Sequence, residues 1–322
     1  MKTILLTNRY TGLPLEIVRG ELPAGFGLAF PEGPEHGDLV WQAREADYIL
    51  AGGRMKLTAD VLENAPRLKM IQRSGVGLDA LDLDAIRQKG IPLYVNQGVN
   101  AESVAEHALM LMLACLRRLT VVHANTRSGI WKKQEQGVRT AELHGKTVGI
   151  VGMGHIAKTL VALLQPFGVR ILYHDVVRAP ADFERQNGLE AVSLDELLGR
   201  SDIVTLHCAL SDATRNLIRA ETIARMKDGA ILVNTARGPV VDADALADAL
   251  RSGKIAFAGL DAHVQEPIPD GYPLKDVETA ILTPHIAGVT GDSFRAMMHA
   301  AFRNIALFDE GRLDEIAHAR YL

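Results

Sequence analysis

At 322 residues, 48% of them apolar, the chain is long enough for two buried cores rather than one. Its 35 basic and 39 acidic residues leave a net charge of −4 with no basic block, which argues against a nucleic-acid or membrane-surface partner and for a small molecule. The longest apolar run, ALMLMLACL at 108–116, is too short to cross a bilayer, and the opening MKTILLTNRY lacks a signal peptide's apolar stretch and cleavage site, so a cytoplasmic protein is expected.

In chain order, the short apolar runs KTILLT, ADYILAG, LKMIQRS and IPLYVN predict a small parallel sheet before residue 100. AESVAEHALMLMLACLRRLTVVHANT, from residue 101, holds no Gly or Pro and predicts one helix of roughly seven turns with Asn100 as N-cap, its Met and Leu side chains serving as core. Six strand-like runs follow: KTVGIVG, RILYHD, DIVTLHC, AILVNTA, IAFAGLDA and TAILTPH. Continuous apolar strands alternating with helices predict a parallel sheet covered on both faces, so the expected fold class is α/β with two doubly wound sheets. GDSFRAMMHAAFRNIALFDEG reads as a last helix stopped by Gly311. Cys115 and Cys208 lie inside apolar segments and read as reduced core thiols; no metal site is expected.

The chemistry gathers at strand ends of the second block. TVGIVGMGHIA places Gly152 and Gly154 after a strand and before a helix, where a dinucleotide pyrophosphate needs close backbone approach and a helix N-terminus, with Ala157 small enough for tight helix packing. Asp175 closes the next strand about twenty residues on, where a carboxylate can accept hydrogen bonds from both adenosine ribose hydroxyls. Arg237 follows the strand AILVNTA, and its planar fork matches a carboxylate. Glu266 stands before Pro267 in the loop after IAFAGLDA, and His285 follows Pro284 in ILTPHIAG. If these strands share a sheet, acid, imidazole and guanidinium meet at its carboxyl edge.

Together, GKTVGIVGMGHIA, SDIVTLHCALSDATRNLI, MKDGAILVNTARGPVVD, AGLDAHVQEP and LTPHIAG resemble the D-isomer-specific 2-hydroxyacid dehydrogenase family, as do LKMIQRSGVGLDALD and NAESVAEHAL upstream. The resemblance implies a Rossmann NAD domain (100–291) inserted into a flavodoxin-like substrate domain (1–99 and 292–322), with the active site between them and a hinge that closes over the substrate. It implies catalytic roles for Arg237, Glu266 and His285, and a homodimer. The candidate cofactor contacts are Gly152, Gly154, His155, Ile156, Asp175, His207, Thr235, Ala236 and Asp261, the last near the nicotinamide amide. Backbone N–H groups of Ser74, Gly75, Val76 and Gly77 are implied to hold the substrate carboxylate.

Reduction of a 2-oxo acid needs a proton donor near neutrality, and Glu266 is expected to raise the pKa of His285 for that role while Arg237 orients the substrate. Departures from the family pattern are His155 beside the pyrophosphate, His263 where an aromatic is common, and Ala209 for a frequent proline. For His207 and His263 a structural role is the alternative to ligand contact, and for Trp131 core or local packing is the alternative to a dimer contact. A corepressor-like dinucleotide sensor and a phosphoglycerate dehydrogenase, with Arg54 and Arg73 near a phosphate, are the competing functions. A formate dehydrogenase fits less well, because that branch carries Gln in place of Glu266.

Overall fold

The computed structural model describes residues 1–53 and 55–322, the side chains of 317 and 318 excepted. It divides into two compact units, Met1–Asn100 with Thr290–Leu322, and Ala101–Val289.

In the first unit β1 (Lys2–Leu6), β2 (Phe26–Ala29), β3 (Tyr48–Ala51), β4 (Met70–Arg73) and β5 (Leu93–Val95) form one parallel sheet in the order β2-β1-β3-β4-β5. That is the flavodoxin-like order. Every residue of the central strand β3 is buried, as a sheet covered on both faces requires. Strand β2 is absent from the sequence expectation: Pro23, Gly25 and Gly27 make its surroundings look like a turn, yet it pairs along the sheet edge with β1 from Lys2↔Phe26 to Leu5↔Ala29. The C-terminal helix Gly291–Asp309 returns to this unit. Phe294, Met298, Ala301, Phe302 and Ile305, at helical spacing, lie in its core; Thr290 caps the helix by accepting from Ser293 N at 3.0 Å, and Gly311 follows its end with φ 75°.

The second unit opens with α5 (Ala101–Leu116), preceded in the chain by α1 (Gly12–Glu21), α2 (His36–Ala43), α3 (Ala59–Glu63) and α4 (Leu83–Gln88) of the first. The single helix expected after residue 100 is corrected: α5 and α6 (Leu119–Arg127) are bent by 60°. Arg118 lies between them in the left-handed region, φ 49°, which ends the α-helical hydrogen-bond ladder without any Gly or Pro to announce it. A short α7 (Lys133–Gly137) follows. Trp131, which precedes it, is 81% exposed, so the core-packing alternative for this side chain does not hold.

Strands β6 (Thr147–Val151), β7 (Arg170–His174), β8 (Leu189–Ala191), β9 (Ile203–Leu206), β10 (Ala230–Asn234), β11 (Ile255–Leu260) and β12 (Ala280–Leu282) form a parallel sheet ordered β12-β11-β10-β9-β6-β7-β8. Counted from β6 this is the doubly wound order 3-2-1-4-5-6 with a seventh strand, and its direction reverses between β6 and β9. Helix α8 (His155–Leu164) buries Ala157, Leu160, Val161 and Leu164 in the same core as Ala105, Ala108, Met112 and Cys115 of α5. Each fully buried Leu here is worth about 1.5–3 kcal/mol relative to exposure. Cys115 and Cys208 are free thiols, and burial pushes them up to about 12 and about 11. Among the described residues, no single helix is long and apolar enough to cross a membrane.

Candidate active site

The reversal between β6 and β9 is where open α/β sheets bind ligands. Gly152 ends β6 with φ +91°, and a Cβ there would lie 2.7 Å from Cys208 N and 2.8 Å from the carbonyl carbon of His207, so only glycine lets β6 and β9 leave the sheet side by side. Gly154, by contrast, faces open space where a Cβ would meet nothing within 4 Å. Among the described residues the amides of Gly154, His155 and Ile156 have no acceptor, as expected at the start of α8. Asp175, after β7, accepts from Met153 N at 2.5 Å through Oδ2 and from Val177 N at 3.0 Å through Oδ1. Arg178, three residues on, donates through Nε and Nη2 to the two oxygens of Glu184, at 2.9 Å each.

Two buried polar atoms at adjacent strand ends, His207 Nδ1 after β9 and Thr235 Oγ1 after β10, have no hydrogen-bond partner among the described residues. His207 uses its other nitrogen, Nε2, on Thr205 Oγ1 at 2.9 Å, and burial pushes its pKa down to about 4, so it is a neutral ring at neutral pH. Orphaned buried polar groups are costly unless something satisfies them. With a helix N-terminus, an open glycine cradle and a strand-end carboxylate along the same edge, this donor and acceptor set fits a dinucleotide.

The other half of that edge brings the three chemically active side chains together in order. Strands β10, β11 and β12 are neighbours with Asn234, Leu260 and Leu282 in register, and their exits carry Arg237, Glu266 and His285. Buried Asn234 shapes the first exit: its Nδ2 donates to Arg237 O at 2.9 Å and its Oδ1 accepts from Ala236 N at 3.0 Å. Arg237 is half-buried and donates through Nη1 to Ala236 O at 2.7 Å. A Cβ on Gly238 would stand 2.0 Å from the carbonyl carbon of His263, so the first two exit loops touch backbone to backbone. Both oxygens of Glu266 lie 2.9 Å from His285 Nδ1, and Oε1 also accepts from His263 N at 3.0 Å. His285 Nε2 has no partner among the described residues, and its side chain is 41% exposed.

Some residues do more than the sequence suggests. His263 is a brace: it is buried, its Nε2 lies 2.9 Å from Thr283 O, and its ring meets Tyr272 edge-on at 5.5 Å. Asp261, 1% exposed, accepts from Thr283 Oγ1, Ile286 N and Ala287 N at 2.6, 2.9 and 2.8 Å; one acceptor direction remains on Oδ2. His107, on α5, joins this group from 176 residues away at 3.0 Å from Thr283 Oγ1, and nothing in AESVAEHAL marks it except its place beside the apolar face of the helix.

In the first unit, Ser74 N donates to Ala51 O at 3.0 Å, which takes it out of the implied carboxylate cradle, whereas the amides of Gly75, Val76 and Gly77 have no acceptor among the described residues. Arg73 donates to Gly77 O at 2.7 Å and Ala51 O at 3.0 Å and so braces this loop. Arg54 lies outside the described residues.

A glycine-turned dinucleotide edge continuous with an acid, imidazole and guanidinium trio defines a dinucleotide-dependent dehydrogenase domain. Residues 109–287 match the family described as D-isomer specific 2-hydroxyacid dehydrogenase, NAD binding domain. The chain is 38% identical over 263 residues to a hydroxypyruvate reductase of Thermotoga maritima, covering 81% of this chain and 84% of the relative. It is 39% identical over 262 residues to a D-3-phosphoglycerate dehydrogenase of Mycobacterium leprae, again over 81% of this chain but only 49% of that longer protein. A crystal structure of D-lactate dehydrogenase from Aquifex aeolicus with NAD and lactic acid superposes with a TM-score of 0.86 at 29% identity, covering 99% of this chain and 98% of the other. The chain belongs to the D-isomer-specific 2-hydroxyacid dehydrogenase family of NAD-dependent oxidoreductases, and NAD is its cofactor.

Proposed function

We propose that the chain interconverts a small 2-oxo acid and the corresponding D-2-hydroxy acid, with His285 and Glu266 as the acid–base pair and Arg237 on the substrate carboxylate. The observation that carries this reading is the pairing of His285 Nδ1 with both oxygens of Glu266 at 2.9 Å. The carboxylate fixes the proton on Nδ1 and the orientation of the ring, which presents Nε2 outward. When bound, the cofactor would supply the redox chemistry, a hydride given by NADH in reduction or accepted by NAD+ in oxidation at the substrate's C2. In the reducing direction His285 gives the Nε2 proton to the carbonyl oxygen as negative charge grows there; in oxidation the neutral ring takes that proton back. Arg237 holds the substrate carboxylate through its fork and stabilises the developing charge. Gly154, His155 and Ile156 would hold the pyrophosphate, Asp175 the ribose, and His207, Thr235 and Ala236 the inner face of the cofactor. A phosphorylated substrate draws less support, because the guanidinium of Arg73 already serves Gly77 and Ala51.

The test is NADH oxidation by the purified chain with glyoxylate, hydroxypyruvate, pyruvate and 3-phosphohydroxypyruvate, repeated with His285→Ala. Saturable turnover on an unphosphorylated acid is expected, with kcat lower by about two to four orders of magnitude in the variant and NADH binding nearly unchanged. Cofactor binding without turnover on any acid would point to a sensor, and near-normal kcat in His285→Ala would place the acid elsewhere.

A further inference from the structure

We propose that His107 is a positioning residue for His285, acting through Thr283 and Asp261; the inference rests on the acid–base role given to His285 above. The hydroxyl of Thr283 has one proton, and the 2.6 Å contact with Asp261 Oδ1 uses it. At 3.0 Å from His107 Nε2, the same oxygen must therefore accept, so Nε2 carries the hydrogen. That nitrogen also stands 3.6 Å from Asp261 Oδ1, with the His107 side chain 12% and the Asp261 side chain 1% exposed. Direction thus runs one way, from imidazole N–H to hydroxyl to carboxylate.

The carboxylate in turn grips the residues that follow His285, Ile286 N at 2.9 Å and Ala287 N at 2.8 Å. His285 itself is a non-glycine residue at φ 58°, with its N–H on Thr283 O at 3.0 Å. A side chain in that left-handed region persists only where its surroundings over-determine the backbone. Thr283 before it and Asp261 on the residues after it supply that constraint, and His107 fixes the hydroxyl that joins the two. The group extends over α5 and the exits of β11 and β12, so the turn's direction is set by three separate elements rather than by its own sequence.

His107→Leu removes the donor at similar volume, His107→Gln restores an N–H near Nε2, and Thr283→Val removes the hydroxyl without changing shape. Amide hydrogen exchange at Ile286 and Ala287, measured without NADH or substrate, reads the grip of Asp261 directly. In His107→Leu and Thr283→Val exchange should accelerate about threefold to tenfold, the range set by loss of one net hydrogen bond, and His107→Gln should return close to wild type. Turnover should follow: kcat falls about threefold to thirtyfold in His107→Leu, the KM for NADH stays within about twofold, and Gln recovers most of the loss. Unchanged exchange in both His107→Leu and Thr283→Val would overturn the proposal, as would accelerated exchange with unaltered kcat. Failure of the acid–base reading is recognised separately, by full activity of His285→Ala, because the exchange measurement involves no chemistry.

Discussion

Asp175, given the ribose in the proposed reading, is held by the backbone on both of its oxygens. Its two backbone donors, Met153 N and Val177 N, hold it at the end of β7, while each oxygen keeps a lone pair for a ribose hydroxyl. NADP would bring a phosphate to the same place. Two unit charges about 4 Å apart at an effective dielectric near 20 repel by about 4 kcal/mol, and solvent lowers that figure considerably. Arg178, three residues on from Asp175, already pairs with Glu184 through Nε and Nη2, so a preference for NADH is expected. Asp175→Ser should narrow the gap mainly by improving NADPH. Steady-state titration of both reduced cofactors decides it: equal or better kcat/KM with NADPH in the wild type would falsify the role. Arg237→Lys keeps charge and loses the planar fork, so the KM for the oxo acid should rise and kcat fall together; wild-type kinetics there would move the substrate carboxylate to another residue.

At the scale of elements, the site depends on three neighbouring strand exits meeting closely, and Gly238 is where two of them touch. A Cβ at this position would lie 2.0 Å from the carbonyl carbon of His263, 2.2 Å from its oxygen and 2.4 Å from Val264 N, all backbone atoms that cannot swing aside. Gly238→Ala should therefore displace the loop carrying Glu266 from the one carrying Arg237, reduce kcat by about tenfold or more, and lower the melting temperature. Unaltered kcat and melting in that variant would show that the loops tolerate separation. Much at this scale is legible in the sequence, because five- and six-residue apolar runs such as β6, β7, β10 and β11, punctuated by Gly and Pro, announce both the strands and the reactive side chains at their ends. Edge strands are harder: Leu189–Ala191 is three residues long and partly exposed, and β2 is hidden among glycines. The bend at Arg118 has no composition signal at all. Nor does the contact of His107 with Thr283, since pairing across 176 residues is decided by which strand lies next to which helix. Sequence places Arg237, Glu266 and His285 at the ends of strands; the polar contacts among Asp261, Thr283 and His107 emerge only from the packed backbone.

For the molecule as a whole, the segment after α5 carries the most exposed tryptophan of the described residues. Leu119 is 56% exposed, Ile130 42%, Trp131 81% and Val138 82%, all within α6, α7 and the turns beside them. Leu119, Val122, Ile130 and Trp131 line a single groove of about 490 Å³. Large apolar side chains gathered on one surface mark contact sites more often than chance exposure, and tryptophan is enriched at the centres of interfaces. We propose that a second copy of the chain covers this groove, the same segment meeting itself about a two-fold axis, so that each partner's aromatic side chain leaves water. A stable contact of this kind buries more than about 1,000 Å², so the flanks of the groove would be covered as well. Trp131→Glu removes the largest apolar side chain of the groove and puts a carboxylate where the partner would sit, and both changes occur twice in a symmetric pair. Sedimentation velocity at micromolar concentration should find the wild type as a dimer and Trp131→Glu as a monomer with an unchanged circular dichroism spectrum. A monomeric wild type, or a variant that sediments as the same dimer, would assign the groove to something other than self-association.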